Sequence, residues 1–163
     1  MSLFTFVQNA GTRTLGVSDA QAAAATGAAN ADELAQKAAD AIKSSIAANG
    51  LTADGLDVAF DAASSTVTVQ GEAPDQATKE KILLVCGNIG GVAAVNDEMS
   101  VTQPSDPSQF YTVVAGDSLA KIAARYYGNA NDYPKIVEAN QPMIVNADKI
   151  YPGQLLRIPP QTW

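Results

Sequence analysis

Few residues of this sequence carry side chains suited to acid–base or nucleophilic chemistry. The 163 residues include no histidine and a single cysteine, so the usual general base, the commonest transition-metal ligand and all histidine-based triads are missing. Cys86 cannot form an internal disulfide, and it lies in the apolar run 82–86, a setting typical of a buried, unreactive thiol. The sequence therefore predicts a binding protein without enzymatic activity.

The charge balance argues against polyanionic partners. The formal net charge is -7 and the isoelectric point is near 4.3, whereas nucleic-acid backbones and anionic membranes attract clustered Lys and Arg. We therefore expect neither a nucleic-acid nor a membrane partner. Attraction of cations is the more natural inference, although acidic solubility without any ion site is an alternative that charge leaves open.

The N-terminal residues do not resemble an export signal. No basic residue precedes the apolar stretch 3–7, and Gln8 and Asn9 interrupt this stretch too early for a secretory segment. No other window approaches the roughly 20 apolar residues that cross a bilayer. We expect a cytoplasmic protein, and a monomer.

Two stretches of small or polar residues divide the chain. Residues 11–31 are mostly Ala, Gly and Thr, with too little bulk to bury, and predict a linker at the end of an N-terminal segment over 1–31. A second linker is predicted over 103–109, where two prolines stop helices and strands alike. The domains between and after them are predicted at 32–102 and 110–160.

The first domain alternates between helical and strand periodicity. Helical spacing over 32–49 ends at Gly50, and alternating apolar residues over 56–69 then predict a hairpin with one buried face. A second helix opens at 74–75, and a last strand follows over 95–101. The apolar face predicted for that second helix comprises Thr78, Ile82, Val85, Cys86 and Ile89. The predicted order is α-β-β-α-β.

The second domain is shorter and predicts the order β-α-α-β. A strand over 110–114 leads into a turn, after which Ser118 is the expected helix cap. A second helix is predicted over 132–140 and a closing strand over 155–159. The chain as a whole is predicted to have an α+β fold with two small domains.

The second domain resembles a LysM domain over essentially its whole length. The residues that carry the resemblance are 111–123, 127–129, Ile136, Asn140 and 150–159. In many LysM domains the loop after the first strand and the loop before the last form a shallow groove for N-acetylglucosamine polymers. Here the resemblance implies a candidate glycan groove of Gly116, Asp117, Ser118, Leu119, Asn140, Pro142 and Ile144. An envelope module that binds peptidoglycan, or a protein partner docked through LysM, is accordingly one hypothesis for the function.

The first domain resembles a BON domain, and the whole chain is similar to a more specific family. Residues 67–71, 77–82 and 91–97 carry the BON resemblance. Together with segments 3–11 and 81–92, they make the chain similar from end to end to the cytoplasmic potassium-binding proteins of bacteria. The resemblance implies that the first ten residues pack on the BON domain and that main-chain carbonyls hold K⁺. Carried over by position, these ligands are the carbonyls of Val7, Gln8, Ala10, Gly87, Ile89 and Val92. A K⁺ sensor or buffer that compacts on ion binding, with a role in stress response, is the leading hypothesis.

The two implied ligand segments have a composition that suits a monovalent ion. Each reaches glycine where a helix or turn is expected to end, and helix C-termini expose unpaired carbonyls at the negative end of the dipole. Such neutral carbonyls can replace the water shell of K⁺. Neither segment has Asp or Glu in its core, whereas Ca²⁺ and Mg²⁺ sites recruit carboxylates. Taken alone, Gly-Asn-Ile-Gly-Gly at 87–91 is equally typical of an ordinary helix-to-strand turn.

Overall fold

A computed structural model describes two domains, each with its own hydrophobic core. The described residues are 2–5, 26–27, 31–88, 92–103, 108–141, 144 and 150–159. Most of the predicted linker over 11–31, and residues 104–107 of the second linker, lie outside these ranges.

The first domain is a four-stranded sheet with two helices. In chain order its elements are β1 (Ser2–Thr5), α1 (Ala31–Ala48), β2 (Asp54–Asp61), β3 (Thr66–Asp75), α2 (Gln76–Gly87) and β4 (Ala94–Gln103). The strand order is β1-β4-β3-β2, with β3 and β4 parallel and the other two pairs antiparallel. The predicted α-β-β-α-β order is confirmed. The edge strand β1 was not predicted.

Both helices pack against one face of this sheet. Alternate residues of β2 and β3, among them Phe60 and Val69, lie in one core cluster with Ile42 and Ile46 of α1 and Ile82 of α2. The residues between them, such as those at 57, 59 and 61, are exposed. The period of two residues therefore produces the one-sided hairpin that the sequence predicted.

Two local features shape the second half of β3. The register of β2 against β3 shifts between Asp54 and Asp57, and Gly71 lies opposite with φ 137°. A Cβ at Gly71 would lie 3.1 Å from the Asp54 carbonyl oxygen, so this bulge requires glycine. At the C-terminal end of β3, Asp75 accepts a hydrogen bond from Thr78 N–H at 2.7 Å, which caps α2. Hydrogen bonds from the Thr78 side chain and main chain hold the pKa of Asp75 below its usual value.

The second domain pairs two short strands beside two helices. Its elements are β5 (Gln109–Thr112), α3 (Leu119–Tyr127), a 3-10 turn (Ala130–Asp132), α4 (Tyr133–Ala139) and β6 (Leu155–Ile158), and β5 is antiparallel to β6. The predicted β-α-α-β order and the α+β fold class are confirmed. The first strand ends at Thr112, and Val114, which was predicted as part of it, is 55% exposed. Ser118 caps α3 as predicted, accepting from Lys121 N–H at 3.2 Å.

The helix α2 is buried on two sides, and its predicted apolar face is incomplete. Glu80, Leu83 and Leu84 are at most 2% exposed, although the prediction did not include them. Thr78 is half-buried, and Ile89 lies outside the described residues. The physical reason is that α2 contacts the sheet of its own domain and also β6 of the second domain, so it keeps no fully polar side.

Candidate functional site

The six predicted carbonyl ligands fall on two stretches of chain, of which the structure describes part. Gly87 is the last residue of α2, and Val92 lies two residues before β4. The remaining four, Val7, Gln8, Ala10 and Ile89, lie outside the described residues. The structure therefore locates the two ends of the segment 87–92.

The C-terminal end of α2 suits a cation. Asn88 is the C-cap, and its N–H donates to the Leu84 carbonyl at 2.9 Å. In a trans peptide the C=O points opposite to the N–H of the next residue, so the Gly87 carbonyl points out of the helix end. The last turn of α2 contains no Lys or Arg, so no cationic side chain of that turn competes for the negative end of the dipole.

The other end of the segment is fixed by the core and by a hairpin. The Val92 side chain is 0% exposed and belongs to the core of the first domain. The N–H groups of Ala93 and Ala94 donate to the Ser65 carbonyl at 2.9 and 3.4 Å. Ser65, at the turn between β2 and β3, has a positive φ of 55°. Val92 is thus held by its side chain in the core, and the main chain that follows it is held by the turn between β2 and β3.

The edge strand β1 leads the chain toward this place. Its pairing with β4 aligns Phe4 with Val95 and Thr5 with Ala94. Because the pairing is antiparallel, the chain leaves β1 at the end of β4 where Val92 precedes it.

Asn88 connects this segment to the second domain. Its side-chain Nδ2 donates to the Leu155 carbonyl at 2.9 Å, and its Oδ1 accepts from Leu155 N–H at 2.9 Å. The amide therefore pairs with both main-chain groups of one strand residue, as a neighbouring strand would. The residue between two implied ligands, Gly87 and Ile89, is also an interdomain contact.

Asn140 makes the same paired contact two residues further along β6. Its Nδ2 donates to the Arg157 carbonyl at 3.0 Å, and its Oδ1 accepts from Arg157 N–H at 2.9 Å. Since alternate residues of a strand direct their main-chain groups to the same side, Asn88 and Asn140 cap one and the same edge of β6. We call this edge, at Leu155 and Arg157, the outer edge of β6.

A buried ion pair lies beside the outer edge of β6. Arg157 Nε lies 2.9 Å from Glu80 Oε1, and the two residues are 6% and 2% exposed. Glu80 also accepts from Ser108 N–H at 2.9 Å and from the Gln76 amide at 3.0 Å. Arg157 donates further to the Ala139 carbonyl at 2.6 Å and to the Ser108 hydroxyl at 3.2 Å. The pair therefore joins α2 of the first domain to β6, α4 and the start of the second.

The charge state of Glu80 is set by this network. Burial raises the pKa of Glu80, but the hydrogen bonds from Gln76 and Ser108 and the charge of Arg157 outweigh it. The net result is a pKa below the usual value, so Glu80 is a carboxylate at neutral pH.

The first loop of the candidate glycan groove is held by its own side chains. Gly116 forms the turn with φ 90°. The Asp117 carboxylate accepts from the Tyr111 hydroxyl at 2.5 Å and from Val114 N–H at 3.0 Å, which holds the pKa of Asp117 below its usual value. Ser118 caps α3. The Asp117 carboxylate and the Ser118 hydroxyl therefore already have partners within the domain.

The remaining groove residues that the structure describes are buried. Leu119, Asn140 and Ile144 are 1%, 1% and 0% exposed, and Ile144 N–H donates to the Asn140 carbonyl at 3.0 Å. Leu119, at the start of α3, and Ile144 both belong to the core cluster of the second domain. Pro142 lies outside the described residues.

Sequence reasoning missed the residues that join the domains. The contact among Glu80, Asn88 and Arg157 was not predicted, because the type of a polar residue does not show whether it lies between domains or on the surface. One signal was available: the uninterrupted apolar run from Ile82 to Cys86 is too broad for a helix covered on one side only.

The described residues contain no group of three or more Cys, Asp or Glu that could hold a metal ion. None of the helices described here is both long and apolar enough to cross a bilayer. Cys86 is fully buried, which raises the pKa of its thiol, as expected for an unreactive cysteine.

Family models match both domains. The BON domain model matches residues 34–103, and the LysM domain model matches residues 111–159. Together they cover the two structural units apart from β1 and the first residues of α1 and β5.

A relative of nearly the same length was found by comparison with known proteins. Potassium binding protein Kbp of Escherichia coli O6:H1 is 43% identical over 159 residues, which cover 98% of this chain and 99% of Kbp. Other similarities are short. A protein of Deinococcus radiodurans described as uncharacterized is 57% identical over 49 residues, which are 19% of its length. Esterase Rv1288 of Mycobacterium tuberculosis is 50% identical over 48 residues, which are 10% of its length.

Proposed function

The chain belongs to the family of two-domain BON–LysM proteins that includes potassium binding protein Kbp, and from this premise we propose that it binds K⁺ through main-chain carbonyls. The ligand carbonyls of the proposal are those of Val7, Gln8, Ala10, Gly87, Ile89 and Val92. The observation that carries it is the identity of 43% to Kbp over essentially the full length of both chains.

The geometry at the C-terminal end of α2 supports a K⁺ site at this position. The Gly87 carbonyl points out of the helix end, at the negative end of a dipole whose last turn lacks cationic side chains. A large, weakly hydrated ion such as K⁺ is held well by neutral carbonyls of this kind.

The pairing of β1 with β4 supports the N-terminal ligands of the proposal, Val7, Gln8 and Ala10. Thr5 lies opposite Ala94, and Val7 and Gln8 follow Thr5 by two and three residues. A chain of that length reaches at most about 7 to 11 Å. The covalent chain therefore limits Val7 and Gln8 to that distance from Thr5, whereas Ala10, five residues after Thr5, has a reach of about 18 Å.

A thermal-shift experiment tests the proposal on the intact chain. An ion that binds only the folded state stabilises it by about 2.7 kcal/mol at 100 times its Kd, which for a domain of this size is roughly 10 to 20 °C in Tm. We expect such a rise on replacing NaCl with KCl at constant ionic strength. Identical melting curves in the two salts would remove the proposal.

A truncated chain controls for general salt effects. Deleting residues 1–10 removes three of the proposed ligands together with the edge strand β1, and leaves the core strands β2, β3 and β4. We expect the truncated chain to retain its far-ultraviolet circular dichroism and to melt at the same temperature in both salts. A persisting K⁺ shift would place the ion elsewhere.

The sensor role, compaction and the cytoplasmic location are finer parts of the same proposal. If ion binding draws the N-terminal segment and the second domain together, the radius of gyration measured by small-angle X-ray scattering is smaller in KCl than in NaCl. Cell fractionation tests the location, and sedimentation the monomer.

The LysM match favours a second candidate function, the binding of N-acetylglucosamine polymers. Because the Leu119, Asn140 and Ile144 side chains are buried, this function requires the main chain and the exposed Gly116 turn to contact the sugar. Co-sedimentation with purified peptidoglycan in NaCl, where K⁺ binding is not engaged, distinguishes the two functions.

A further inference from the structure

One face of α2 carries the contact with the second domain. Glu80, Leu84 and Asn88 follow one another at intervals of four residues, a spacing that places them on the same face of a helix. Glu80 pairs with Arg157 of β6, and Asn88 pairs with Leu155 two residues earlier on the same strand. The contact between α2 and β6 is therefore made by one stripe of α2.

The apolar part of this contact lies outside the two domain cores. Leu84 is 1% exposed and Leu155 is 6% exposed, yet neither belongs to the core cluster of its own domain. Leu84 lies on the stripe between two residues that bond to β6, so its burial belongs to the interdomain contact. Because each domain has its own core, the domains can separate without exposing either one.

The Glu80 carboxylate accepts three hydrogen bonds, two of which cross between the domains. The crossing bonds come from Arg157 Nε at 2.9 Å and from the N–H of Ser108, which directly precedes β5, also at 2.9 Å. The third comes from the Gln76 amide at 3.0 Å. A protonated carboxyl carries a hydrogen on one oxygen and accepts fewer bonds. Protonation of Glu80 therefore weakens the bonds that join the domains.

The buried Arg157 side chain depends on the charge of Glu80. Both residues are buried, and an ion taken out of water needs an opposite charge beside it. Arg157 also donates to the Ala139 carbonyl and to the Ser108 hydroxyl, neither of which carries a charge. Within the described part of the chain, Glu80 is the carboxylate that forms an ion pair with Arg157. The other charged groups around the pair are Asp75, which caps α2, Lys81 of α2 and Glu138 of α4.

We propose that Glu80 makes the interdomain contact sensitive to acid: protonation of its carboxyl releases the second domain from α2 while both domains stay folded. Separation returns the Arg157 guanidinium to water, which costs less than keeping an uncompensated cation buried. This inference does not depend on K⁺ binding.

The direction of the pH effect follows from the bonds to Glu80. Although burial raises it, the pKa of Glu80 lies below its usual 4.5, because hydrogen bonds from Gln76 and Ser108 and the charge of Arg157 favour the carboxylate. Docking is therefore complete above about pH 4.5 and is lost as pH falls through the pKa of the docked form.

Two main-chain amides of β6 report docking and folding separately. Leu155 N–H donates to Asn88 of the first domain, whereas Arg157 N–H donates to Asn140 of its own domain, each at 2.9 Å. Hydrogen exchange of the full chain in NaCl is measured from about pH 6 to about pH 3 and expressed relative to an unstructured chain, which removes the intrinsic effect of pH. We expect Leu155 to lose protection by up to about tenfold per pH unit below the docked pKa, and Arg157 and the core residue Val69 to keep theirs.

Either of two results on the unmodified chain would overturn the inference. Constant protection of Leu155 through this pH range would show that protonation does not release the second domain. A loss of the same size at Arg157 or at Val69 would show that acid unfolds a domain instead of separating the two.

A neutral variant tests the charge of Glu80 directly. In Glu80→Gln the side chain cannot be protonated and Arg157 has lost its counter-charge, so we expect the protection of Leu155 to be at least about tenfold lower at neutral pH and independent of pH. The matched control is Glu98→Gln, the same change at an exposed carboxylate of β4, which should reproduce the pH profile of the unmodified chain. A Glu80→Gln chain with that same profile contradicts the inference. If Glu80→Gln does not fold, the profile of the unmodified chain decides.

An apolar pair tests whether docking survives once the titrating group is gone. In Glu80→Leu with Arg157→Met, no charge is buried at the contact, so we expect Leu155 to stay protected and to show no loss in acid. An acid-induced loss as large as that of the unmodified chain would assign the effect to another group and overturn the inference.

Discussion

Asn88 and Asn140 perform the same chemistry on neighbouring places of one strand edge, yet they belong to different domains. Each uses its amide to pair with both main-chain groups of a residue on β6, at distances of 2.9 to 3.0 Å. Asn140 comes from the second domain itself, follows α4, is 1% exposed and donates additionally to the Ile136 carbonyl at 2.8 Å. Asn88 comes from the first domain and makes its contact only when the domains are docked.

The difference shows how one edge can serve folding and assembly together. An unpaired strand edge invites association with other chains, and here one half of the edge is covered from within the domain and the other half by the neighbouring domain. The Asn140 half is part of the LysM fold, whereas the Asn88 half joins the two domains.

The largest loss of stability is expected from substituting Arg157. Its main chain bonds to the Asn140 amide, and its side chain forms the ion pair with Glu80 of the first domain. Arg157→Ala leaves the buried Glu80 carboxylate without its cation, and breaking a buried pair costs about 3–5 kcal/mol. Urea denaturation should show this loss, and the double variant Glu80→Leu with Arg157→Met should recover much of it. A double variant no more stable than Arg157→Ala alone would contradict the assignment of the cost to an uncompensated charge.

The next largest effect is expected from Asn140→Ala, which tests the intradomain half of the comparison. Removing the amide leaves the buried N–H and C=O of Arg157 unsatisfied, each at a cost of about 1–3 kcal/mol, whereas the Ile136 carbonyl keeps its bond from the main-chain N–H of residue 140. In NMR spectra we expect resonances of 109–159 to lose dispersion while those of the sheet over 54–103 persist. Equal disturbance of both domains would show that Asn140, like Asn88, acts between domains.

The smallest effect is a pH dependence that reports the interdomain pair. Because the folded pKa of Glu80 lies below its usual 4.5, its stabilising contribution is complete above the unfolded value and is lost as pH falls through the folded one. We therefore expect Tm to fall as the pH is lowered from about 4.5 to 3, and to fall less steeply in Glu80→Gln, which cannot be protonated. Parallel curves for the two proteins would assign the acid sensitivity to other carboxylates.

Most of the fold could be predicted because its signals are local. The alternation at Val58 and Phe60, the cap at Ser118 and the stop at Gly50 each act within a few residues, and each produced the expected element. The missed strand β1 is four residues long, and its partners in β4 are 89 to 95 residues away, so no nearby pattern could reveal it.

The candidate site was less accessible to sequence reasoning for a physical reason. Carbonyl ligands belong to the main chain, so the side chains of Val92 or Gly87 constrain them little, and the ligand set stays a prediction drawn from family resemblance. The groove residues show that the role of a side chain can also be mispredicted. Asn140 was predicted as a sugar contact, and the structure shows its amide engaged by β6, a use that depends on a partner 17 residues away.

The position of β1 has a consequence for the order in which the molecule forms. Phe4 can pair with Val95 only after the ribosome has added the 91 residues that lead to Val95. Distant pairings of this kind form late because the intervening chain must first be closed into a loop. The helices and the strands β2 to β4 can assemble beforehand around their shared core. The residues of β1, which are synthesised before the other strands, are then the last to join the sheet, and their pairing with β4 completes its edge.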